Sequence, residues 1–280
     1  MLNLLENQNV VSTGKIIFLL LILFSISKAE DKIFNPPIAA QIEARIGTYY
    51  LIDDDKMRLD IGNSFDLMKL YENDKIQINT GADLMTFTRL RSVGKFKFPV
   101  ETTDYYFGLN STFVQKTDND KFFSGRIRIA HISSHLIDGL AKDGIFTQMP
   151  YVYSREFVDL IGAYNMNLKD RVKLKFYAGA NFIFSTIPDE VNKIEPQIGV
   201  DIKHKIFNPN LEFVIALDHR LLGQNNIFRG SNSIQTGLNY TTSENTNMFI
   251  GYYYFSGHSI HGMFYSENDQ YHGLGIQLYY

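Results

Sequence analysis

The chain has 280 residues, which suits a single domain of barrel size. Hydrophobic residues make up 45% and charged residues 20%, so the composition excludes a disordered chain and a helical membrane protein. The net charge of −3 gives no reason to expect a nucleic-acid partner, and the absence of cysteine excludes disulfides and a cysteine-based zinc site.

The N-terminal segment has the pattern of a signal peptide. Lys15 precedes an apolar run from Ile16 to Ile26, and the small residues Ser27 and Ala29 follow it. The run is too short to span a bilayer as a helix and has the length of a signal-peptide core. We therefore predict export, a signal peptide over residues 1–29 cleaved near Ala29, and a mature domain over residues 30–280.

After this segment, polar and apolar residues alternate with a period of two, the spacing of a β-strand with two unlike faces. Residues 171–186 illustrate it: Val172, Leu174 and Phe176 fall on one face, and Arg171, Lys173 and Lys175 fall on the other. About twelve such segments follow one another between turn-rich stretches. They cover residues 39–52, 57–71, 75–91, 103–116, 122–136, 150–164, 171–186, 193–206, 209–222, 229–241, 246–258 and 269–280.

Two all-β architectures fit this alternation: a soluble sandwich, and a transmembrane barrel that turns its apolar face to lipid. The length of the segments favours the barrel, since globular strands have a mode of roughly 5–6 residues. The final strand ends in Leu278 and Tyr280, which resembles the signal read by the outer-membrane barrel assembly machinery. We predict an antiparallel transmembrane β-barrel of about twelve strands in the outer membrane, with lipid and that machinery as partners.

In such a barrel, charged residues on the polar faces point into the lumen. The residues predicted to face inward are Asp83, Arg89, Arg126, Arg128, Arg155, Asp159, Asp201 and Lys203.

One strand carries a possible catalytic group. His131 and Ser133 are two residues apart, so they share a strand face and lie about 6.5–7 Å apart along the backbone. The alternation places this pair on the lipid side, near the outer leaflet, and Glu156 on the next strand is the best residue to orient the imidazole. The pair resembles the H-x-S motif of outer-membrane phospholipase A and the lipid A deacylases. Those enzymes continue with Asn and Gly, whereas Ser134 and His135 follow here.

Other interpretations of these histidines remain open. His131 and His135 fit a polar belt at the membrane interface, and about 13 Å between them is too far for one metal ion. His258 and His261 fit an extracellular loop, where ordinary polar residues are the rule. We predict no metal and no cofactor.

Several segments together resemble the bacterial family named domain of unknown function 1207, predicted outer-membrane barrels. The motifs are Phe34-Asn-Pro-Pro-Ile-Ala-Ala, Asp104-Tyr-Tyr-Phe-Gly-Leu, His131-Ile-Ser-Ser-His-Leu-Ile-Asp-Gly, Ser154-Arg155-Glu156 and Gly257-His258-Ser-Ile-His-Gly-Met-Phe-Tyr, followed by Gly273-Leu-Gly. Ile137 and Gly139 depart from the Gly and Glu of that family. The resemblance implies a barrel in the outer membrane and supplies no activity.

Three functions therefore remain: a barrel of uncharacterised or structural role, a lipid-acting acyl hydrolase that uses Ser133, His131 and Glu156, and a narrow solute channel. Mixed lumen charge argues against a strongly ion-selective pore.

Overall fold

A computed structural model describes residues 31–52, 54–118, 120–169, 171–242 and 246–279. The predicted signal peptide and Tyr280 lie outside these residues. Twelve antiparallel strands, each paired with its neighbours, form a closed barrel. They are β1 Ile46–Leu51, β2 Lys56–Glu72, β3 Ile76–Arg91, β4 Val100–Asp118, β5 Lys121–Leu136, β6 Tyr153–Leu168, β7 Val172–Ile187, β8 Ile194–Lys205, β9 Leu211–Gln224, β10 Ile227–Thr241, β11 Asn247–His258 and β12 Asn268–Tyr279. The predicted fold class is confirmed.

The first and last strands close the barrel, with Ile46 opposite Leu278 and Leu51 opposite Gly273. This pairing leaves no free strand edge, which is what a β-sheet needs in lipid. Among the described residues, no helix has both the length and the apolar character needed to cross a membrane.

The two ends of the barrel differ. At one end, here the turn end, short connections join β2 to β3, β4 to β5, β6 to β7, β8 to β9 and β10 to β11. At the other, here the loop end, the connections include residues 92–99, 137–152 and 259–267. The connection 137–152 contains the 3-10 turn Asp138–Leu140 and a short hairpin, Ala141–Lys142 with Ile145–Phe146.

The sequence alternation is visible in burial. On β9, Val214 and Ala216 are fully buried, whereas Phe213 and Ile215, which alternate with them, are exposed to the outside. Apolar side chains in aqueous solvent would oppose folding, so an outer wall of exposed Phe, Ile and Leu requires lipid around it.

Residues 39–45, predicted as the start of the first strand, do not belong to β1, and this prediction is wrong. Instead residues 31–45, here the lumen segment, run through the inside of the barrel. The backbone N–H of Ile38 donates to Asp201, and the Gln41 amide donates to Ser233 at 2.6 Å. The lumen segment has no neighbouring strand to pair with. Its polar groups therefore form hydrogen bonds with side chains of the lumen wall.

Aromatic side chains fill the rest of one half of the lumen. Tyr49 and Tyr253 stack with ring centroids 4.5 Å apart. Glycine makes room for them: a Cβ at Gly275 would come within 2.3 Å of the Tyr49 Cβ, and one at Gly251 within 2.5 Å of the Phe249 ring. This half of the lumen is thus packed with side chains.

The connection 259–267, here the inner loop, folds into the loop end of the lumen. Asp104 accepts hydrogen bonds from the His261 ring at 2.6 Å and the Gly262 N–H at 2.9 Å. Ser134 accepts one from the Met263 N–H at 3.0 Å. The guanidinium of Arg89 lies 3.6 Å from the Phe264 ring centroid.

Candidate functional site

A cluster of polar side chains lies on the outer wall of the barrel, in the half of β5 nearer the loop end. His131 is directly opposite Glu156 on β6, and its Nδ1 lies 2.8 Å from Glu156 Oε1. Ile127 and Ile129, on the same face of β5, are exposed to the outside. His131 and Glu156 therefore belong to the surface that meets lipid, where an ionisable pair is costly and is normally kept for a function.

The hydrogen bond to Glu156 fixes the form of the imidazole. A carboxylate accepts, so Nδ1 carries the hydrogen and Nε2 of neutral His131 keeps its lone pair. Nε2 is the nitrogen available to a hydroxyl. Ser133 is on the same outer face, and no hydrogen bond joins its hydroxyl to the His131 ring among the described residues.

Two further serines surround the carboxylate. The Ser154 hydroxyl donates to Glu156 Oε1 at 2.9 Å. Ser185 lies opposite Glu156 on β7. Donors from β5 and β6 thus hold Glu156 in place. The side chains of His131 and Glu156 remain 27% and 32% exposed, so a substrate can reach them from the lipid side.

Phe107 and Tyr105 on β4 form the other border of this outer cluster. The Phe107 ring lies 4.8 Å from the His131 ring, and Tyr105 meets His135 edge-on at 5.6 Å. His135 is exposed on the outer face. The ring of Phe107 limits the rotation of His131, which favours a fixed orientation of Nε2.

The residues predicted to face the lumen occupy the inner wall. Asp83, Arg89, Arg126, Arg128, Arg155, Asp159 and Asp201 are buried there, and Lys203 lines a cavity of about 750 Å³ at the turn end.

Four of the buried charges form one network. Both guanidinium nitrogens of Arg126 contact the Glu43 carboxylate, at 2.9 and 2.6 Å, and Arg128 contacts it at 3.3 and 3.2 Å. Asp159 Oδ1 accepts from both arginines. Sequence reasoning missed Glu43 because it assigned residues 39–52 to a strand.

The remaining motif residues divide between the two faces. Ser154 and His135 lie outside, whereas Ser134, Arg155 and His258 lie inside at the loop end. His258 ends β11 and His261 lies in the connection to β12, and both side chains are buried. Asp104 and Ser134 hold the inner loop in the lumen, which the motif spacing alone did not reveal.

The histidines and carboxylates do not form a metal centre: no group of three or more potential ligands occurs among the described residues. The pair His131–Glu156 is a hydrogen-bonded dyad without a further such ligand.

The closed barrel with its apolar outer wall is a β-barrel of the outer-membrane type. Its activity is uncharacterised. The chain belongs to the family described as protein of unknown function (DUF1207), whose model matches residues 71–280. The predicted family is confirmed, and no curated protein sequence matches the chain.

Solved structures with a similar fold are outer-membrane barrels. Outer membrane phospholipase A from Escherichia coli matches with a TM-score of 0.53 at 12% identity, over 90% of this chain and 96% of that one. The beta domain of the Bordetella autotransporter BrkA matches with a TM-score of 0.49 at 12% identity, over 84% of this chain and 96% of that one. At 12% identity the likeness to the phospholipase concerns the fold alone.

Proposed function

We propose that the chain is an acyl hydrolase that acts on membrane lipid through Ser133, His131 and Glu156. The observation that supports this most is the hydrogen bond between His131 Nδ1 and Glu156 Oε1 on the outer wall. A base oriented by a carboxylate, with a hydroxyl two residues away on the same strand face, is the arrangement that nucleophilic ester cleavage needs.

In this proposal each residue has one role. Ser133 Oγ attacks the ester carbonyl while Nε2 of His131 takes its proton, and Glu156 stabilises the imidazolium that forms. The proton then passes to the leaving alcohol, the ester C–O bond breaks, and water hydrolyses the acyl-serine by the same base. The proposal requires a side-chain rotation that brings Ser133 Oγ to Nε2 when the substrate binds, as catalytic hydrogen bonds often form only in the complex.

A solute channel has less support. The lumen segment, the aromatic side chains and the inner loop occupy the space that a permeating solute would need. Glu43 anchors the lumen segment to two arginines of the opposite wall. A purely structural role would give no reason for a carboxylate on the lipid-facing wall, because its charge is unfavourable there.

The location follows the same reasoning. We propose that the loop end faces outward, that residues 1–29 direct export and are removed near Ala29, and that the last strand with Tyr280 is recognised by the barrel assembly machinery. Under this orientation, the outer cluster meets lipid near the outer leaflet. Outer membrane phospholipase A, by its name a phospholipase, shares the fold, and this chain has a lipid-facing dyad of its own.

The test is hydrolysis of phospholipid vesicles and of lipid A by the refolded barrel. We expect Ser133→Ala and His131→Ala each to reduce kcat by at least about 100-fold, because each removes a member of the reacting group. Ser124→Ala, at a buried serine on the lumen side of β5, is the matched control and should keep full activity.

Folding is monitored by the shift in gel mobility on heating, so that loss of activity is separated from loss of the barrel. Unchanged hydrolysis in Ser133→Ala, or no hydrolysis of either lipid by the wild type, would contradict the proposal. If the wild type hydrolyses neither lipid, His131 and Glu156 would instead belong to a belt of polar side chains at the membrane interface.

A further inference from the structure

A second group of polar side chains lies on the outer wall, on β9 to β12. His219 is directly opposite Asn232 on β10, and its Nδ1 lies 2.8 Å from Asn232 Oδ1. Asn232 is opposite Ser256 on β11, and Ser256 is opposite Gln270 on β12. These four residues, here the polar row, cross four neighbouring strands. Three strand spacings of about 4.8 Å make the row about 14 Å long.

The polar row faces lipid. Leu217 and Leu221, which lie two residues before and after His219 on β9, are 42% and 36% exposed on the outer face. Residues directly opposite each other share a face of the sheet, so the other members of the row also point outward. Polar groups on a lipid-facing wall are costly and are normally kept for a function.

The wall holds the ring of His219 in place from two sides. Asn232 accepts a hydrogen bond from Nδ1, and the ring lies over Gly230, where a Cβ would come within 2.8 Å of the ring atom Cε1. The glycine therefore leaves the space that the ring occupies. A side chain that is already oriented loses little freedom when a ligand binds.

The hydrogen-bonding atoms of the row specify the ligand. An amide oxygen accepts, so Nδ1 of neutral His219 carries the hydrogen and Nε2 keeps its lone pair, beside the donor nitrogen of the Asn232 amide. Among the described residues, the four side chains form no other hydrogen bond. A hydroxyl both donates and accepts, so it satisfies this pair, whereas an ionised phosphate only accepts and leaves Nε2 without a donor.

The polar row differs chemically from the outer cluster. The outer cluster carries a serine two residues from its imidazole, whereas Leu217 and Leu221 take these positions beside His219. Ser256 is two strand spacings away from His219, about 9.6 Å. The row also contains no carboxylate, lysine or arginine. These features favour binding of an uncharged group over cleavage of an ester.

We propose that the polar row binds the sugar headgroup of a membrane glycolipid. A sugar carries several hydroxyls, so it meets the His219–Asn232 pair and the polar side chains of the next two strands together. The acyl chains of the lipid then lie against apolar residues of the same wall, such as Ile215 and Ile250, which are 39% and 53% exposed. This site is separate from the proposed hydrolytic site, because β7 and β8 lie between them.

The experiment is native mass spectrometry of the refolded barrel with three lipids that have the same acyl chains: monoglucosyl diacylglycerol, phosphatidic acid and diacylglycerol. We expect the glucosyl lipid to bind about tenfold more tightly than the other two. His219→Phe and Asn232→Leu should each reduce this preference about fivefold, because each removes hydrogen bonds to the sugar. The shift in gel mobility on heating shows whether each variant is folded.

Two further variants separate position from polarity. Gly230→Ala removes no polar atom, but its Cβ displaces the His219 ring, so it should also weaken binding of the glucosyl lipid. The control is His204→Phe, at an exposed histidine of β8 opposite Phe213 near the turn end, and it should bind as the wild type does.

The proposal is overturned if phosphatidic acid or diacylglycerol binds as tightly as the glucosyl lipid, or if His219→Phe and Asn232→Leu keep the preference. It is also overturned if these variants abolish a dimer instead, because the row would then be an interface between copies of the chain. The hydrolase proposal fails by a different result: Ser133→Ala leaves glycolipid binding unchanged, and His219→Phe leaves hydrolysis of phospholipid vesicles unchanged.

Discussion

The sharpest prediction concerns Glu43, which anchors the lumen segment. In the isosteric variant Glu43→Gln, Arg126 and Arg128 lose one of the two carboxylates that they share. The side chains involved are 1–3% exposed, so water cannot replace the lost charge. Removing one member of a buried ion pair costs about 3–5 kcal/mol, and because the Gln amide oxygen still accepts a hydrogen bond, we expect about 3 kcal/mol.

The assay is unfolding in guanidinium chloride with the protein in detergent micelles. With slopes of roughly 2–6 kcal/mol per molar guanidinium, the midpoint should fall by roughly 0.5–1.5 M. Glu72→Gln is the matched control, because the Glu72 side chain is 52% exposed and pairs with Lys69 at the turn end. Its effect should stay below about 1 kcal/mol. Equal midpoints for wild type and Glu43→Gln would refute the claim that the lumen segment is anchored by this network.

Three further predictions concern the outer cluster and the inner loop. Glu156→Gln should lower kcat of lipid hydrolysis by roughly 100-fold or more, because the amide no longer stabilises the imidazolium. An unchanged kcat in a vesicle assay would contradict the orienting role of Glu156. His261→Ala removes the 2.6 Å bond to Asp104, so limited proteolysis should cut the inner loop faster than in the wild type, and equal rates would show that this bond does not hold it. The Tyr265 hydroxyl donates to Glu190, and this bond lowers the pKa of Glu190. Burial, together with the same bond, raises the pKa of Tyr265 to about 12. The bond persists above the ordinary pKa of Glu and is lost as the pH falls through the lowered one. Acid should therefore speed proteolysis of the wild-type loop, whereas Glu190→Gln should remove this component of the pH dependence.

Strand positions follow from the sequence because alternation has a direct physical cause. A strand between lipid and lumen points successive side chains to opposite sides. Residue types alone therefore predict a strand such as β9, with Val214 inside and Ile215 outside. The same logic predicted the pairing partner of His131: both it and Glu156 fall on the apolar face of adjacent strands. The catalytic role of these residues stays a prediction.

The residues that fill the lumen could not be predicted from alternation. Residues 39–45 alternate as a strand does, yet they fill the barrel, and only the charges that come from other strands, Arg126 and Arg128, explain their position. Periodicity describes which residues share a face and not which wall that face meets. The inner loop is a second instance, since Asp104 lies far from His261 in the sequence and the fold brings them to 2.6 Å.

The sequence by itself therefore determined the barrel, the approximate number of its strands and the outward position of His131 and Ser133, because each depends on local alternation. The tertiary structure decided what occupies the lumen and where the buried charges find partners, since these contacts join residues that no local pattern connects. The lumen segment and the inner loop belong to this second group.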